Sequence, residues 1–432
     1  MTDYRLLITD YWFEVDMISF EIPEKLQQET KMAEMVAAQV MRPKSRYLDE
    51  HEHERPSDFI NIMWPVIKEQ YKKQLAGLQN GNGSQPKREG PNWAVLRFVL
   101  LIEMLSWGDT GQYLCMPGGG LGGSAVEAVG TPEQKVRFFS RFAEGNEPSW
   151  GSMAITEPDA GSDNSSMRTT AVLDPATNEW IINGEKIFIT SGSLSLKESD
   201  GFCVVWATVD PTAGRKGIKS FVVEGRTPGV EVSHGLDKLG IRASDTVILS
   251  FRDVRVPYEN LLGSPEVREK STKGFAGAMQ TFDASRPAVA ASAMGIARAA
   301  LEFTKQKLVE DGIVLDYTKP RHELTAVERD VLNMEAQYKT AWLLTLKAAA
   351  AIAHGQGNRL EASMCKAHAG TAVTRITQKS VELLGPLGYS RELLAEKWMR
   401  DAKINDIYEG TRQINLLIVA RSILGYSRRE LK

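Results

Sequence analysis

Apolar residues recur at three- and four-residue intervals from Glu24 to about Trp150, as in the stretches "FINIMWPVIKEQYKKQL" and "WAVLRFVLLIEMLSW". This spacing places the apolar side chains on one face of an α-helix. The stretch from Gln79 to Trp93, "QNGNGSQPKREGPNW", interrupts the pattern with turn-forming and charged residues, so we predict a loop there. The pattern predicts an N-terminal helical domain over residues 1–150.

Two shorter stretches in this region have recognisable local chemistry. In "GTPEQKVRFFSRF", Thr131 can cap a helix whose first residue is Pro132, and Gln134 lies where a capping box needs it. The glycine-rich "MPGGGLGG", Met116 to Gly123, neither follows a strand nor carries the Lys-Ser/Thr pair of a phosphate loop. We predict a helix start at Pro132 and a flexible bend between helices at the glycines.

The pattern changes to short β-rich runs between Gly151 and about Gly263, for example "GFCVVWATVD", "GIKSFVVEG" and "TVILSFRDVRVP". In "WIINGEKIFIT" the pair Asn183-Gly184 predicts a hairpin turn. No helices alternate with these strands, which favours a closed or sandwich-like sheet over a doubly wound one. We predict a middle β domain over residues 151–265.

Apolar residues again recur at helical spacing from Lys273 to the end of the chain. We therefore predict a C-terminal helical bundle over residues 266–432. The fold class is therefore α+β and multidomain. The length of 432 residues agrees, because domains usually have about 100–200 residues.

Composition excludes several classes of function. A net charge of −3 gives no broad basic surface for nucleic acid. No run reaches the roughly 18 apolar residues that a membrane span requires. The start, "MTDYRLLITDYWFEVD", lacks the basic segment and apolar core of a signal peptide, so we expect a cytoplasmic protein. The three cysteines are too scattered for disulfides or zinc, and His51 and His53 in "DEHEHERP" are typical of a solvated surface, so we predict no metal.

Two motifs are candidates for chemistry. "MAITEPDAGSD", Met153 to Asp163, is a strand entering a turn of small residues; it could bind a flat polar ring or phosphate oxygens, or simply end a strand. "IYEGTRQ", Ile407 to Gln413, places Glu409 before the apolar helix "INLLIVARSIL". Glu409 could complement the helix N-terminus, for about 0.3–1 kcal/mol, or could be a base that acts on a substrate.

These two motifs, with "NGEKIFITSG", "LGIRASDTVILSFRDVRVPYENLLG" and "FDASRPAVAASAMG", resemble the acyl-CoA dehydrogenase family in order and spacing, over about two thirds of the chain. The resemblance implies an N-terminal helical domain, a middle β-barrel-like domain and a C-terminal four-helix bundle. It also implies FAD, an acyl-CoA substrate, electron-transfer flavoprotein as acceptor, and a tetramer. The expected reaction is α,β-dehydrogenation to the trans-2-enoyl-CoA.

The resemblance also implies roles for individual residues. Glu409 is expected to be the base; some relatives carry the base at the position of Ser285, where serine cannot do that work. Phe188 stands where the family usually has Trp. The implied FAD-binding residues are Met153, Ile155, Thr156, Ser162, Phe188, Thr190, Thr411 and Gln413, and the implied substrate-binding residues are Ser162, Asp283, Arg286 and Gly410.

Two departures from the family pattern leave alternatives open. An expected Arg-x-x-Phe is absent from "EDGIVLDYTKPRHELTAVERD", and Glu382 stands where the family has Gln. Either the sequence has drifted, with Lys319 or Arg321 as substitutes, or the chain assembles with a second, different subunit in which only half of the sites carry FAD. On the same scaffold, an acyl-CoA oxidase or a flavin monooxygenase using dioxygen is the alternative enzyme. A DNA-associated flavin-binding relative would require a basic C-terminal face, which the balanced composition does not provide.

Overall fold

The computed structural model describes residues 24–79, 92–263, 273–426 and 430. Most of the loop predicted between Gln79 and Trp93 lies outside these residues. In the described part of the N-terminal region, a five-residue π-helical segment, Ala37–Met41, joins the first two helices. The helices are α1 (Glu24–Val36), α2 (Arg42–Glu50), α3 (Ser57–Gln79), α4 (Trp93–Tyr113), α5 (Gly120–Val129) and α6 (Pro132–Glu144).

The predicted start of α6 is confirmed. Thr131 Oγ1 accepts a hydrogen bond from the Gln134 backbone N–H at 3.3 Å, and Gln134 Oε1 accepts one from the Thr131 N–H at 3.0 Å. This reciprocal pair is the capping box, and Pro132 occupies the first helical position.

The predicted bend between helices at Met116 to Gly123 is confirmed for Met116 to Gly119, which connect α4 to α5, and is wrong for the rest. Gly120 to Gly123 form the first turn of α5, which packs against the first strand of the sheet. A Cβ on Gly122 would collide with the carbonyl oxygen of Ser152, so the glycine allows a close approach of helix and strand. Here the glycines allow close packing of the helix on the strand, a role that the glycine-rich composition alone did not indicate.

A curled seven-stranded sheet follows, in the order β1-β4-β2-β3-β7-β6, with β5 paired to β4. Strand β4 pairs in parallel with β1 and β2; the other pairs are antiparallel. This confirms the β-barrel-like middle region. The strands are β1 (Gly151–Ala154), β2 (Thr170–Asp174), β3 (Glu179–Thr190), β4 (Phe202–Thr208), β5 (Ile218–Glu224), β6 (Val230–Val232) and β7 (Thr246–Pro257).

Strand β4 is buried on both faces. Its alternate residues Cys203, Val205 and Ala207 pack into the interior of the sheet. Phe202, Val204 and Trp206 pack with phenylalanines of α6. Because successive side chains of a strand point to opposite faces, β4 contributes to two cores. One lies inside the sheet, and the other packs α6 against the sheet.

The predicted hairpin turn at Asn183-Gly184 is wrong. Both residues lie inside the single twelve-residue strand β3, where Gly184 has φ 147° and the register with β7 shifts. This is a β-bulge; the hairpin turn lies at residues 175–178, between β2 and β3. An Asn-Gly pair predicts a positive φ, and a bulge uses a positive φ as readily as a hairpin turn does.

The C-terminal helices confirm the predicted bundle. Helices α7, α8 and α9 pack on one another, α11 packs on α9, and α4 lies against α7. Small and aliphatic residues such as Ala297, Ala341 and Ala369 form their shared core. The helices are α7 (Lys273–Glu310), α8 (Ala326–Ala353), α9 (Arg359–Tyr389), α10 (Ala395–Ala402) and α11 (Arg412–Leu424). The domain limits at residues 150 and 265 stay predictions.

A buried ion cluster joins the three regions just before the Glu409 segment. The Lys397 ammonium on α10 lies 2.8 Å from Asp109 of α4 and 2.6 Å from Asp401. Asp401 also accepts a hydrogen bond from the Ile241 backbone N–H at 2.5 Å. Although burial disfavours the ammonium, Asp109 and Asp401 raise the pKa of Lys397, so Lys397 stays protonated. It anchors the chain that leads to α11.

Among the described residues, no helix combines the length and the apolar character that crossing a membrane requires.

Candidate active site

Glu409 lies on a strained turn that leads into α11. Its φ is 56° and that of Gly410 is 84°, so two consecutive residues adopt the left-handed conformation. A non-glycine residue held in that conformation costs about 1–3 kcal/mol and persists only where the surrounding structure enforces it. Such strain is concentrated at functional sites, which marks Glu409 as a candidate.

Thr411, and not Glu409, caps α11. Thr411 Oγ1 accepts a hydrogen bond from the Ile414 backbone N–H at 3.3 Å. The Glu409 carboxylate instead accepts a hydrogen bond from Ser285 Oγ on α7, at 2.8 Å. The helix therefore does not need Glu409 as its side-chain cap, which weakens the capping interpretation.

The surroundings of Glu409 favour a base of raised proton affinity. Glu409 keeps part of its surface accessible, yet burial of its carboxyl group raises the pKa. The Ser285 hydrogen bond and the charges of Arg286 and Lys366 oppose this rise. The carboxyl group is thus surrounded by protein but still has cations that stabilise its ionised form.

Two tyrosines lie within the electrostatic range of Glu409. Burial raises the pKa of Tyr113, at the end of α4, and the Glu409 charge raises it further. Burial likewise raises the pKa of Tyr408, and the Tyr408 hydroxyl donates a hydrogen bond to Asn405 at 3.1 Å. Both phenols stay protonated near neutral pH, so neither adds a negative charge beside the acid.

The predicted substrate residues Asp283 and Arg286 form an ion pair at 2.7 Å on α7. Arg286 is buried, Asp283 is half-buried, and a Cβ on Gly410 would lie 3.7 Å from Arg286 Nη2. Ser285, Arg286, Glu409 and Gly410 therefore lie together. Arg286 places its cation inside the protein beside the turn, so its predicted contact with acyl-CoA stays a prediction.

A second group of predicted residues lies at the edge of the sheet. Met153 and Ile155 are buried, and Thr156 and Thr190 are half-buried. Phe188 is 64% exposed and has φ 63°, at a register shift between β3 and β7. A bulge here turns a large aromatic side chain outward, an arrangement that is common next to active sites.

An ion pair that sequence reasoning missed ties this second group together. Lys186 Nζ lies 2.8 Å from Glu157 Oε1 and donates a hydrogen bond to the Ile155 carbonyl oxygen at 3.2 Å. The Ile187 backbone N–H also donates to the Thr156 carbonyl oxygen at 2.9 Å. The charged residues inside the two apolar motifs were the available signal, because a buried charge requires a partner.

The pKa values of Glu157 and Lys186 are both lowered, for different reasons. Despite burial, Lys186 and three donors from Arg168 and Thr169 lower the pKa of Glu157. At Lys186 burial outweighs the attraction of Glu157 and lowers the pKa to about 8. Glu157 is thus firmly ionised, and it depends on Lys186 for its main counter-charge.

The remaining predicted residues lie at the surface. Ser162 is exposed in the loop after β1, and Gln413 is exposed in the first turn of α11. Their predicted contacts with FAD and substrate stay predictions, as does that of Thr411.

Among the described residues, Glu52, His53 and Asp237 form a cluster of potential metal ligands away from these groups. Glu52 already pairs with Lys238 at 3.2 Å and Arg242 at 2.9 Å. Since two cations occupy that carboxylate, we interpret the cluster as an ion-pair network. That the protein uses no metal ion stays a prediction.

The three-part architecture places a curled sheet between two helical regions and carries a strained acid at the start of α11. The middle-domain model of acyl-CoA dehydrogenases matches residues 152–254, and the C-terminal-domain model matches residues 272–424. Together they span more than half of the chain. The chain belongs to the acyl-CoA dehydrogenase family, whose members are FAD-dependent flavoprotein oxidoreductases.

Individual relatives agree with this assignment. The chain is 34% identical over 335 residues to the short-chain specific acyl-CoA dehydrogenase of Megasphaera elsdenii, covering 76% of this chain and 82% of the relative. It is 36% identical over 300 residues to the acryloyl-CoA reductase (NADH) of Anaerotignum propionicum, covering 69% and 72%.

A solved structure described as the electron transferring flavoprotein of Acidaminococcus fermentans, concerning flavin-based electron bifurcation, contains a similar chain. The TM-score is 0.79 at 31% identity, covering 94% of this chain and all of the other.

The residues at the sheet edge fit FAD. Phe188 offers an exposed aromatic face, and the half-buried hydroxyl-bearing residues Thr156 and Thr190 lie on the same two linked segments. An aromatic face with neighbouring hydroxyl groups suits a flat polar ring system, by stacking and hydrogen bonding.

Proposed function

We propose that the protein catalyses α,β-dehydrogenation of an acyl-CoA thioester to the trans-2-enoyl-CoA, with Glu409 as the base. The observation that carries this proposal is the Glu409 carboxyl group, which lies on a strained turn, is desolvated and is not needed to cap α11. FAD, when bound, is the two-electron acceptor for the hydride that leaves the β-carbon.

Glu409 takes the α-proton, so the α C–H electron pair becomes the new C=C bond while the β C–H pair departs as hydride. An α-proton of a thioester is only weakly acidic, so a base with a raised pKa reduces the mismatch. Burial provides this increase at Glu409. The Glu409 backbone N–H is proposed to hydrogen-bond the thioester oxygen and stabilise its developing negative charge.

Phe188, Thr156 and Thr190 are proposed to hold the isoalloxazine ring, and Met153 and Ile155 to support it from the core. Helix α5 packs against both β1, which carries Met153, and α7, which carries Asp283 and Arg286. We propose that the acyl chain lies between these groups, with Ser162, Asp283, Arg286 and Gly410 contacting acyl-CoA.

Anaerobic mixing of the FAD-loaded protein with a panel of short-, medium- and long-chain acyl-CoA thioesters tests the proposal. We expect bleaching of the flavin absorbance and formation of the enoyl-CoA with at least one member. The relative named as short-chain specific makes short thioesters the first choice. Rapid reoxidation in air would instead support the alternative enzyme, an oxidase or a flavin monooxygenase, and no bleaching with any thioester would contradict the proposal.

The pH dependence of turnover should report the raised pKa of Glu409. The base must be ionised, so activity should fall as pH decreases through a pKa above the ordinary value for glutamate. In Ser285→Ala, loss of the hydrogen bond to the carboxylate should raise this pKa and move the acid limb to higher pH. Measuring kcat/KM against pH for both proteins checks this; an acid limb that is unchanged in Ser285→Ala would contradict the assignment of Glu409.

Electron-transfer flavoprotein is the proposed electron acceptor. The structural relative described as an electron transferring flavoprotein supports this choice. Coupling the reduced protein to a purified electron-transfer flavoprotein, with its flavin reduction as the readout, tests this partner separately from the dehydrogenation itself.

Assembly into a tetramer, homomeric or with a second subunit, is also proposed. Leu416, Leu417, Ile423 and Leu424 expose apolar surface on α11, and Leu387 and Tyr389 do so at the end of α9. A patch of this kind is typical of an interaction surface.

In the α7–α8 connection, one of the two candidate substitutes, Lys319, is already paired within its own chain, while the other, Arg321, is exposed. Lys319 is bound at 2.9 Å by Glu328 of its own chain, and Tyr317 donates to Glu335 at 2.7 Å. Glu382 pairs with Lys379 at 2.8 Å. Since Lys319 is occupied within its own chain, it is a weak substitute for an arginine lent to a neighbouring FAD site.

Flavin content tests the second-subunit proposal. We expect the chain purified alone to carry less than one FAD per chain, and co-expression with a co-encoded relative to give a mixed tetramer with FAD in half of its sites. Absorbance of released FAD and mass determination in solution measure both quantities. One FAD per chain in a tetramer of this chain alone would overturn the proposal.

A further inference from the structure

The turn that carries Glu409 is held by two side chains that converge on one backbone atom. The Gly410 carbonyl oxygen accepts hydrogen bonds from Lys366 Nζ at 2.6 Å and from Asn415 Nδ2 at 2.8 Å. Asn415 is on α11 itself, while Lys366 reaches the turn from α9. Glu409 and Gly410 both have positive φ, a conformation that persists only where surrounding groups hold it. The two hydrogen bonds to the Gly410 carbonyl oxygen provide this restraint.

Lys366 is a cation with almost no access to solvent. Its residue is 1% exposed, and burial lowers the pKa of its ammonium to about 8. Within the described part of the chain it has no carboxylate within ion-pair distance. Its charge is therefore directed at the Gly410 carbonyl and, through space, at nearby acids.

The charged groups around Lys366 come from three elements. Glu409 and Asp406 raise the proton affinity of Lys366, and Arg286 on α7 lowers it. Asp406 already pairs with Lys403 at 3.0 Å, and Arg286 with Asp283. Around Glu409 itself, the facing groups are Arg286, Lys366, Ser285 and the two tyrosines Tyr113 and Tyr408. Glu409 is thus the acid that lacks an ion pair of its own.

We propose that Lys366 is a positioning residue for the base: it fixes the Glu409–Gly410 turn through the Gly410 carbonyl group and keeps the Glu409 carboxyl ionised by its buried charge. This inference rests on the proposed role of Glu409. The two effects are separable, because Asn415 also hydrogen-bonds the Gly410 carbonyl group but carries no charge that could stabilise ionised Glu409.

The test compares the pH profiles of Lys366→Met and Asn415→Ala. In Lys366→Met, removal of a buried cation should raise the pKa of Glu409, so the acid limb of kcat/KM should move up by about one pH unit. Turnover should fall about tenfold or more, since the turn also loses a restraint. In Asn415→Ala, turnover should fall while the acid limb stays in place. Lys347→Met, at an exposed lysine of α8, should match the wild type.

A second readout does not depend on turnover. The carboxyl C=O stretch of protonated Glu409 can be assigned in infrared difference spectra by its loss in Glu409→Gln. Its titration midpoint should rise in Lys366→Met and stay unchanged in Asn415→Ala. If Lys366→Met does not fold, Lys366→Gln, which keeps a donor without the charge, is measured by the same criterion.

Three outcomes are distinguishable. A shifted midpoint in the Lys366 variant alone supports the inference. Loss of activity without a shift in either variant would make Lys366 merely structural and overturn it, while the role of Glu409 would stand. Full activity of Glu409→Gln would overturn the proposed function, and the inference with it.

Discussion

Replacement of Glu409 by glutamine is expected to lower turnover of an acyl-CoA substrate by about 10²- to 10⁴-fold while FAD stays bound. Glutamine has nearly the same shape and can still accept the Ser285 hydrogen bond at the carbonyl oxygen. It cannot take a proton from the α-carbon. Because Thr411 caps α11, the substitution should leave the helix and the fold unchanged.

Steady-state turnover and the visible absorbance of bound flavin measure the two parts of this expectation. Glu392→Gln is a matched control, since Glu392 is exposed before α10 and lies in none of the site groups. It should retain wild-type turnover. If Glu409→Gln keeps most of its activity, or if it loses FAD together with activity, the assignment of Glu409 as a base that acts only on substrate is wrong.

The predictions that held depend on local spacing. The capping box at Thr131 depends on residues within the short span from Thr131 to Gln134, and the helical and β-rich patterns are repeated over many residues. The Asn183-Gly184 prediction failed because the same local signal serves a turn or a bulge, and pairing with β7 decides between them.

The contacts that hold the candidate site join residues far apart in the chain. Lys366 and Gly410 are 44 positions apart, and Lys186 and Glu157 are 29. No periodicity links such residues, so the sequence indicated which acid to examine and not what supports it. The single sequence signal was a charged residue inside an apolar stretch, which predicts a partner but does not name it.

Lys186→Met should lower the free energy of unfolding by about 3 kcal/mol and weaken FAD binding. Lys186 has no exposed side-chain surface, and Glu157 would be left buried without its cation. The donors from Arg168 and Thr169 remain, so we expect the lower end of the range for a broken buried ion pair. Thr156 and Phe188 flank this pair, so its loss should disturb the proposed ring-binding edge.

Urea denaturation and FAD titration measure the two effects. In the wild type the folded-state pKa of Glu157 is lowered, so the stability that the pair contributes is present above the ordinary glutamate pKa and is lost as pH falls through the lowered value. The difference between Lys186→Met and the wild type should therefore shrink at acidic pH. Asp159→Ala, which breaks the exposed pair with Arg168 in the same loop, should cost less than about 1 kcal/mol. Adding Glu157→Gln to Lys186→Met should recover part of the loss, because the uncompensated charge is removed. A Lys186→Met protein as stable as the wild type at neutral pH would show that the pair does not hold this edge of the sheet.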